Sequence, residues 1–400
     1  MAIIGLGECN KNMIYPFIGG INNLVVYTII YFFSDSIKLD NHPFLLGINA
    51  GLGMSLAIIP YLYILKFTKK KKLNNNSNKY IANLIKKKDP IAKRDKYLTL
   101  FLCAFLDFIQ KALFFLFRNN ITIFFWVFDI IFLNLFTSMV TQNKLYKHQY
   151  FSSGIMIFFG ILLNAVFLYK IPLEDIPILI MNIFIEMMYC LGIVLAKYGM
   201  DDLFCSPFEI TFYEGIFALI LNVIFLIIST KIPIPFEKIW NFSKLFQISE
   251  YNGKQYLDNF YTYIDEINYK EVLFFILIMI RRLTFNLFSH ITIKHFTSSH
   301  VILLFIISEL VMNFEEKSLI KNVIMAIVFI VELIMILIFC EMIELNFCGF
   351  EKNTRKNIKK RANLSINDEA NIGSMDIGEG MEIVIEDDFS LNNNSIEETN

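Results

Sequence analysis

Ten stretches of this chain are apolar on nearly every side for about the length of a bilayer crossing, and this restricts the fold more than any motif does. A helix on the surface of a soluble protein shows an apolar stripe one face wide, whereas runs such as 208–229 and 319–343 carry few polar residues on any face. About 20 residues rising about 1.5 Å each cross a hydrocarbon core about 30 Å thick. Backbone polar groups cannot stay unpaired in lipid, so such runs must be helical. A β-barrel would need alternating polarity, which is absent. Composition agrees: 56% of the 400 residues are hydrophobic and 18% charged, against about a quarter charged in soluble domains. The expected fold class is all-α, a polytopic membrane protein with about ten transmembrane helices.

The predicted spans are 14–33, 43–66, 97–118, 121–140, 150–170, 175–197, 208–229, 271–293, 298–314 and 319–343. They divide the chain into an N-terminal segment 1–13, a first five-helix half 14–172 with a basic loop 67–96, a second half 173–345 with an insert at 231–268, and a tail 346–400. The tail is acidic, rich in asparagine and nearly free of aromatic residues, which predicts disorder. Within the insert, Leu257, Phe260, Tyr261 and Ile264 follow helical spacing and predict a short interfacial helix. Asn241-Phe242-Ser243 is a glycosylation sequon in the same insert. The first apolar run is long and lacks a basic start, so it is expected to act as the targeting signal itself.

Lysine and arginine are unevenly shared between the two sides of this plan. The side holding both termini carries 23 of them, twelve within 66–96, and the other side carries 10. By the positive-inside rule both termini are expected in the cytosol. Topology accounts for the lysine clusters; binding to anionic lipid headgroups is a second reading. Connections three–four and eight–nine are both short. If the chain divides near residue 172, these are equivalent spans of two inverted halves, a recurrent transporter plan with a midplane site.

Three stretches resemble a known family. They are Phe105-Leu106-Asp107-Phe108; Ile130-Ile131-Phe132 through Leu135-Phe136-Thr137 to Lys144-Leu145-Tyr146-Lys147-His148-Gln149, with Gly154 and Gly160; and Ser206-Pro207 followed by Tyr213-Glu214-Gly215-Ile216-Phe217. With the ten-span plan, they resemble the drug/metabolite transporter superfamily, nearest to solute carrier family 35 and EamA-like members of the nucleotide-sugar-transporter kind. The resemblance implies a 5+5 inverted repeat, alternating access, a central cavity lined from both halves, and an endomembrane (Golgi, endoplasmic reticulum or endolysosomal) ahead of the plasma membrane. A tenth span at the edge, where a homodimer could form, is also implied. Where relatives carry glutamine and arginine early in span four, this chain has Ile123 and Trp126. Where they carry charges early in span nine, it has Val301 and Phe305.

Ionisable residues within spans mark the candidate site, because each costs about 2.5–3.5 kcal/mol at the bilayer centre unless it faces protein or water. Arg282, Asn286 and His290 fall at i, i+4 and i+8, one stripe of span eight, with Arg281 beside them. They are expected either to bind a polar or anionic solute or to pair with Asp129, Glu186 or Glu309. Asp129 and Asn134 in span four, and Glu186 with Asn182 in span six, are further cavity candidates. Asp107 and Lys111, four apart, predict an internal ion pair. Glu214 is expected to favour a helix N-terminus, Glu332 to make a packing contact, and Gly19-Gly20 to pack helices. Cys103, Cys190 and Cys340 are expected as small apolar packing residues. No Walker loop, zinc motif or nucleophile elbow is present in the sequence. The expected function is therefore secondary transport of a small polar or anionic metabolite, with the bilayer and the solute as partners. No enzyme activity, cofactor, metal or nucleic acid is expected. A non-transporting scaffold or receptor is the alternative.

Overall fold

The computed structural model describes residues 4–6, 12, 14–33, 42–63, 90–116, 126–141, 146–168, 176–233, 249–304, 319–345, 350, 354 and 357. These residues are overwhelmingly helical. The long helices are α1 (Ile14–Phe33), α2 (Pro43–Ser55), α3 (Pro90–Leu116), α4 (Trp126–Phe136), α5 (Lys147–Leu168), α6 (Ile176–Asp201) and α7 (Pro207–Lys231). A seven-residue helix, α8 (Phe260–Glu266), precedes α9 (Tyr269–His295), a 3-10 turn (Ser298–Val301) and α10 (Leu319–Phe339). Among the described residues, five helical stretches are long and apolar enough to cross a membrane: Pro43–Tyr63, Ile176–Asp201, Pro207–Lys231, Tyr269–His295 and Asn322–Phe339. Shorter apolar helices cover Ile14–Val26 and Val127–Val140. This is the build of a membrane-embedded protein.

Local chemistry explains where the helices start and bend. Ser206 accepts from the Glu209 backbone N–H while the Glu209 side chain accepts from the Ser206 N–H, a reciprocal capping box, and Pro207 opens α7. Asn259 and Asn268 cap α8 and α9 with their side-chain oxygens. The helix begun by α2 tightens at Leu56 and Ala57, whose N–H groups donate to Gly53 and Met54, and then continues to Tyr63. Pro60 accounts for this, since its ring excludes the carbonyl of residue 56 from regular helix geometry. At its C-terminal end α4 widens into a π turn, Thr137–Thr141.

At the centre, α2 packs along α7 and is flanked by α3 and α9. Around that core, α1 lies on α9, α6 lies on α3 and α4, and α5 pairs with α10. Gly19 makes the α1–α9 approach possible: a Cβ there would stand 2.6 Å from Cβ of Phe288. This is the packing role expected of it. Outward faces are apolar, as on Ile220, Ile224, Ile227 and Ile228 of α7 and Ile327, Ile330 and Ile334 of α10. So many large exposed hydrophobic side chains would be untenable in water.

The insert holds more structure than the sequence periodicity predicts. The expected helix is present but begins only at Phe260. Before it comes a hairpin, β2 (Ser249–Tyr251) and β3 (Lys254–Tyr256), turning on Asn252 (φ 50°) and Gly253 (φ 69°). Positive φ at both turn positions is the condition for a tight hairpin and explains an Asn-Gly pair. Phe260, Tyr261 and Ile264 form an exposed apolar face while Tyr263 turns inward and is buried. A second small sheet joins β1 (Ile4–Leu6) to β4 (Ile343–Leu345), antiparallel. Neither sheet was signalled by apolar periodicity. The lysine clusters of 67–88, the sequon at Asn241, Glu309 and the tail beyond Asn357 lie outside the described residues.

Candidate cavity site

One cavity opens between α3, α6, α7 and α9. It is small, about 20 Å³, room for about one water molecule, and is lined by Cys103, Asp107, Tyr189, Gly192, Ile193, Glu214, Asn286, Ser289 and His290. Most of its exposed wall is apolar, with Asp107, Glu214, Asn286, Ser289 and His290 set into it.

Asp107, Glu214, Asn286 and His290 are each held by a neighbour. On α3, Lys111 Nζ lies 2.6 Å from the Asp107 carboxylate, both nearly buried, so the ion pair expected from their spacing forms. Lys111 also donates to the sulfur of Met54 on α2, at 3.3 Å, and Asn286 of α9 donates its amide to the same sulfur. Met54, fully buried, thus joins a lysine on one side to an asparagine on the other. A thioether is a weak, polarisable acceptor that suits such a node. No periodicity marked Met54 as anything but core.

On the α7–α9 side, Thr211 Oγ1 sits 2.9 Å from the Pro207 carbonyl oxygen and 2.8 Å from His290 Nδ1. The other imidazole nitrogen, Nε2, faces Glu214 Oε1 at 3.4 Å. Glu214 was expected to serve the N-terminus of its helix. The capping box formed by Ser206 and Glu209 occupies that role, and Glu214 lies a turn and more deeper, where it points at His290.

The remaining candidates scatter. Arg282 shares the stripe of Asn286 and His290 and lies within electrostatic reach of Asp107 and Tyr189. Arg281 points the other way: its Nε donates to Asn23 Oδ1 of α1 at 2.7 Å. A residue 100° further round a helix leaves the stripe, and Arg281 is accordingly an α1–α9 contact. Asp129 and Glu186 meet side chain to side chain between α4 and α6, and the Cys190 thiol donates to Asp129 at 3.3 Å. Asn134 donates to Ser153 of α5 at 3.2 Å and accepts from Ser299 of the 3-10 turn at 2.7 Å, tying three segments together. These three residues do not line the cavity described above. Glu332 is fully buried, and neither carboxylate oxygen has a hydrogen-bond partner.

Outside the spans, the α6–α7 connection carries Cys205, buried against α3. Burial pushes its thiol up to about 11, with Lys96 opposing and Glu209 reinforcing. Lys96 reaches Glu209 at 2.8 Å and so ties the foot of α3 to the capping box. No group of three or more metal-ligating side chains occurs among the described residues. No protein-family model matches the chain, and no curated protein matches it in sequence.

Proposed function

We propose that this protein is a secondary carrier of a small polar or anionic metabolite, working by alternating access and related to the drug/metabolite transporters of the solute carrier 35 and EamA-like kind. The observation that carries this reading is the convergence of Asp107, Glu214, Asn286, Ser289 and His290 on one cavity inside an apolar bundle. Membrane proteins tolerate ionisable groups at such depth beside water, protein partners or a solute path. A scaffold built on loops and tails does not need ionisable groups gathered between its spans.

The packing pattern supports the 5+5 inverted repeat. If 14–172 and 173–345 are matched span for span, α1 answers α6, α2 answers α7, α3 answers α9 and α5 answers α10. Exchanging the halves then turns the α1–α9 contact into α6–α3, and α3–α7 into α9–α2; all four pairs are among the major packings. The α2–α7 and α5–α10 pairs map onto themselves, as pairs on a two-fold axis must. Pairing of β1 with β4 brings the segments before α1 and after α10 together. That fits an even number of crossings, with both ends on the lysine-rich, cytosolic side.

The lining suits a solute with acidic and hydroxyl groups. Arg282 supplies positive charge near the cavity, and Asn286 and Ser289 supply neutral donors beside Glu214 and His290. A thermal-shift screen of the purified protein against nucleotide sugars, nucleotides, amino acids and organic anions tests the reading. A ligand at about 100 times its Kd adds about 2.7 kcal/mol to the folded state. Stabilisation by one class, followed by its saturable uptake into proteoliposomes, is the expected result. If no class stabilises the protein and none is taken up, the carrier reading is wrong.

A further inference from the structure

The contact between Glu214 and His290 has a proton count fixed by its neighbour. Thr211 has one hydroxyl proton. Its oxygen lies 2.9 Å from the carbonyl of Pro207, four residues earlier, in the usual back-bond of a helical threonine. With the proton spent there, Thr211 Oγ1 can only accept from His290, so the nitrogen at 2.8 Å, Nδ1, carries a hydrogen. Nε2 then faces the Glu214 carboxyl at 3.4 Å either as a bare lone pair or as an N–H. A bare lone pair against a carboxylate repels. One proton placed on either group relieves that repulsion, as imidazolium beside carboxylate or as imidazole beside carboxylic acid.

We infer that Glu214 and His290 form a proton-binding site on the cavity wall, and that a proton is the second species this carrier binds. Binding forms one N–H or O–H bond; release breaks it and leaves a neutral imidazole facing a carboxylate. The two groups belong to different helices, α7 and α9, so gain or loss of that proton changes what holds these helices together at the cavity. Both side chains line the hollow, so a solute and a proton would meet at one place. The groups facing the pair are Cys103, Asp107 and Lys111 from α3 and Tyr189 from α6; Arg282, two turns away on α9 itself, acts on Asp107 and Tyr189. Among the described residues, α1 and α2 add no acid or base to this wall. Asp107 and Lys111 are closed on each other at 2.6 Å, which leaves Glu214 and His290 as the pair able to exchange a proton with the cavity.

The inference uses the carrier reading for its purpose but not for its geometry, and the two can fail separately. The direct test is nuclear magnetic resonance of the full chain in lipid nanodiscs, with 15N-histidine and 13C-glutamate. His290→Gln and Glu214→Gln identify the two signals by their loss. Across about pH 4 to about pH 9, which brackets ordinary carboxyl and imidazole titration, Nδ1 of His290 stays protonated. Its Nε2 and the Glu214 carboxyl carbon respond in one shared step, as coupled sites do. Protonation of Nε2 in the neutral ring, or two unrelated steps, overturns the site. A second arm presents the nucleotide sugars, nucleotides, amino acids and organic anions singly to proteoliposomes, with and without an outside-acid gradient. The expected result is a several-fold gain in uptake from the gradient that disappears in Glu214→Gln. Uptake indifferent to the gradient overturns proton coupling and leaves the carrier standing. Uptake of none removes the carrier, and the resonance experiment still decides the proton site.

Discussion

Gly51 of α2 and Gly215 of α7 stand back to back: a Cβ built on either would lie 2.9 Å from the carbonyl oxygen of the other. The same Cβ atoms would also press on the backbone of Leu219 and of Ser55 and Met54. The two helices therefore touch backbone to backbone, with no side chain able to give way. Small residues allow this approach in membrane bundles, where packing rather than apolar transfer holds helices together. The reciprocity of the two distances is what the proposed inverted repeat would require of the α2–α7 pair.

Substituting Gly215→Val or Gly51→Val must push these helices apart. Overpacking of this kind costs about 1–3 kcal/mol, and backbone neighbours cannot repack, so the upper end is expected. Thermal unfolding followed in detergent should show a lowered Tm for either single variant. Because the two sites share one contact, the double variant should lose less than the sum of the singles. An unchanged Tm in both singles would show that the helices are not in contact.

The Asp107–Lys111 pair yields a sharper comparison. Removing one partner leaves a buried charge uncompensated, which costs about 3–5 kcal/mol, whereas replacing both by apolar groups is often nearly neutral. Asp107→Leu is thus expected to lower stability strongly, and Asp107→Leu with Lys111→Met to restore most of it. If the double variant is stable but no longer taken up solute, the pair serves binding as well as folding. Equal damage by single and double variants would count against a mutual ion pair.

Asp258 sits in the insert yet finishes a helix more than 200 residues earlier. One carboxylate oxygen accepts from the N–H groups of Phe44 at 2.9 Å and Leu45 at 3.4 Å, and the other meets His42 Nδ1 at 2.7 Å. The pair is nearly completely buried, with the His42 ring edge-on to Tyr263. Asp258→Ala should cost about 1–2 kcal/mol through loss of the cap and should raise hydrogen exchange at Phe44 to Leu46 and across α8. Asp258→Asn keeps an acceptor and should do less. Protection that is unaltered by Asp258→Ala would show that the insert does not hold α2.

Much of the fold was legible because apolar length is a one-dimensional signal. The described helices lie within or around the predicted spans, and α9 starts two residues earlier and ends two later than expected. The start of α3 was missed by seven residues, since Pro90 opens a helix whose first turns are charged and resemble a loop. The site was legible only in part. Helical spacing identified the stripe of Asn286 and His290 and the Asp107–Lys111 pair. It could not reveal that Glu214 meets His290, because that contact joins helices 76 positions apart and depends on how α7 and α9 cross. Met54 was invisible for a different reason: a methionine in an apolar span looks like filling. Gly47-Ile48-Asn49-Ala50-Gly51 carries a small-residue spacing that suits the α2–α7 crossing and that was likewise missed.

Cys205 offers a test by pH. Burial raises its thiol from 9.0 to about 11, so the folded protein keeps it protonated where an unfolded chain would begin to ionise. A group raised in this way contributes stability that is complete below its unfolded value and lost as pH climbs through the folded one. Stability should therefore fall between about pH 9 and about pH 11, and Cys205→Ala should remove that part of the fall. Alkylation of Cys205 by a maleimide at pH 7 should be far slower in the folded protein than in the denatured one, because the thiolate is the nucleophile. Rapid labelling of folded protein would show the thiol to be open.

Arg282 decides between the two readings of the α9 stripe. It lies two turns before His290 on one face of the helix and within electrostatic reach of Asp107, so it can serve a bound anion, the protein's own carboxylate, or both. Charge-assisted hydrogen bonds contribute about 1.5–3 kcal/mol, which corresponds to about 10- to 100-fold in affinity. If Arg282 binds solute, Arg282→Ala should weaken ligand stabilisation and uptake by that factor while Tm without ligand changes little. Arg282→Lys should recover only part, since an ammonium keeps the charge but loses the planar pair of donors. If Arg282 instead locks α9 to α3, the alanine variant should unfold at lower temperature and the protein that remains folded should bind normally. The two outcomes separate in a single pair of melting curves, with and without ligand.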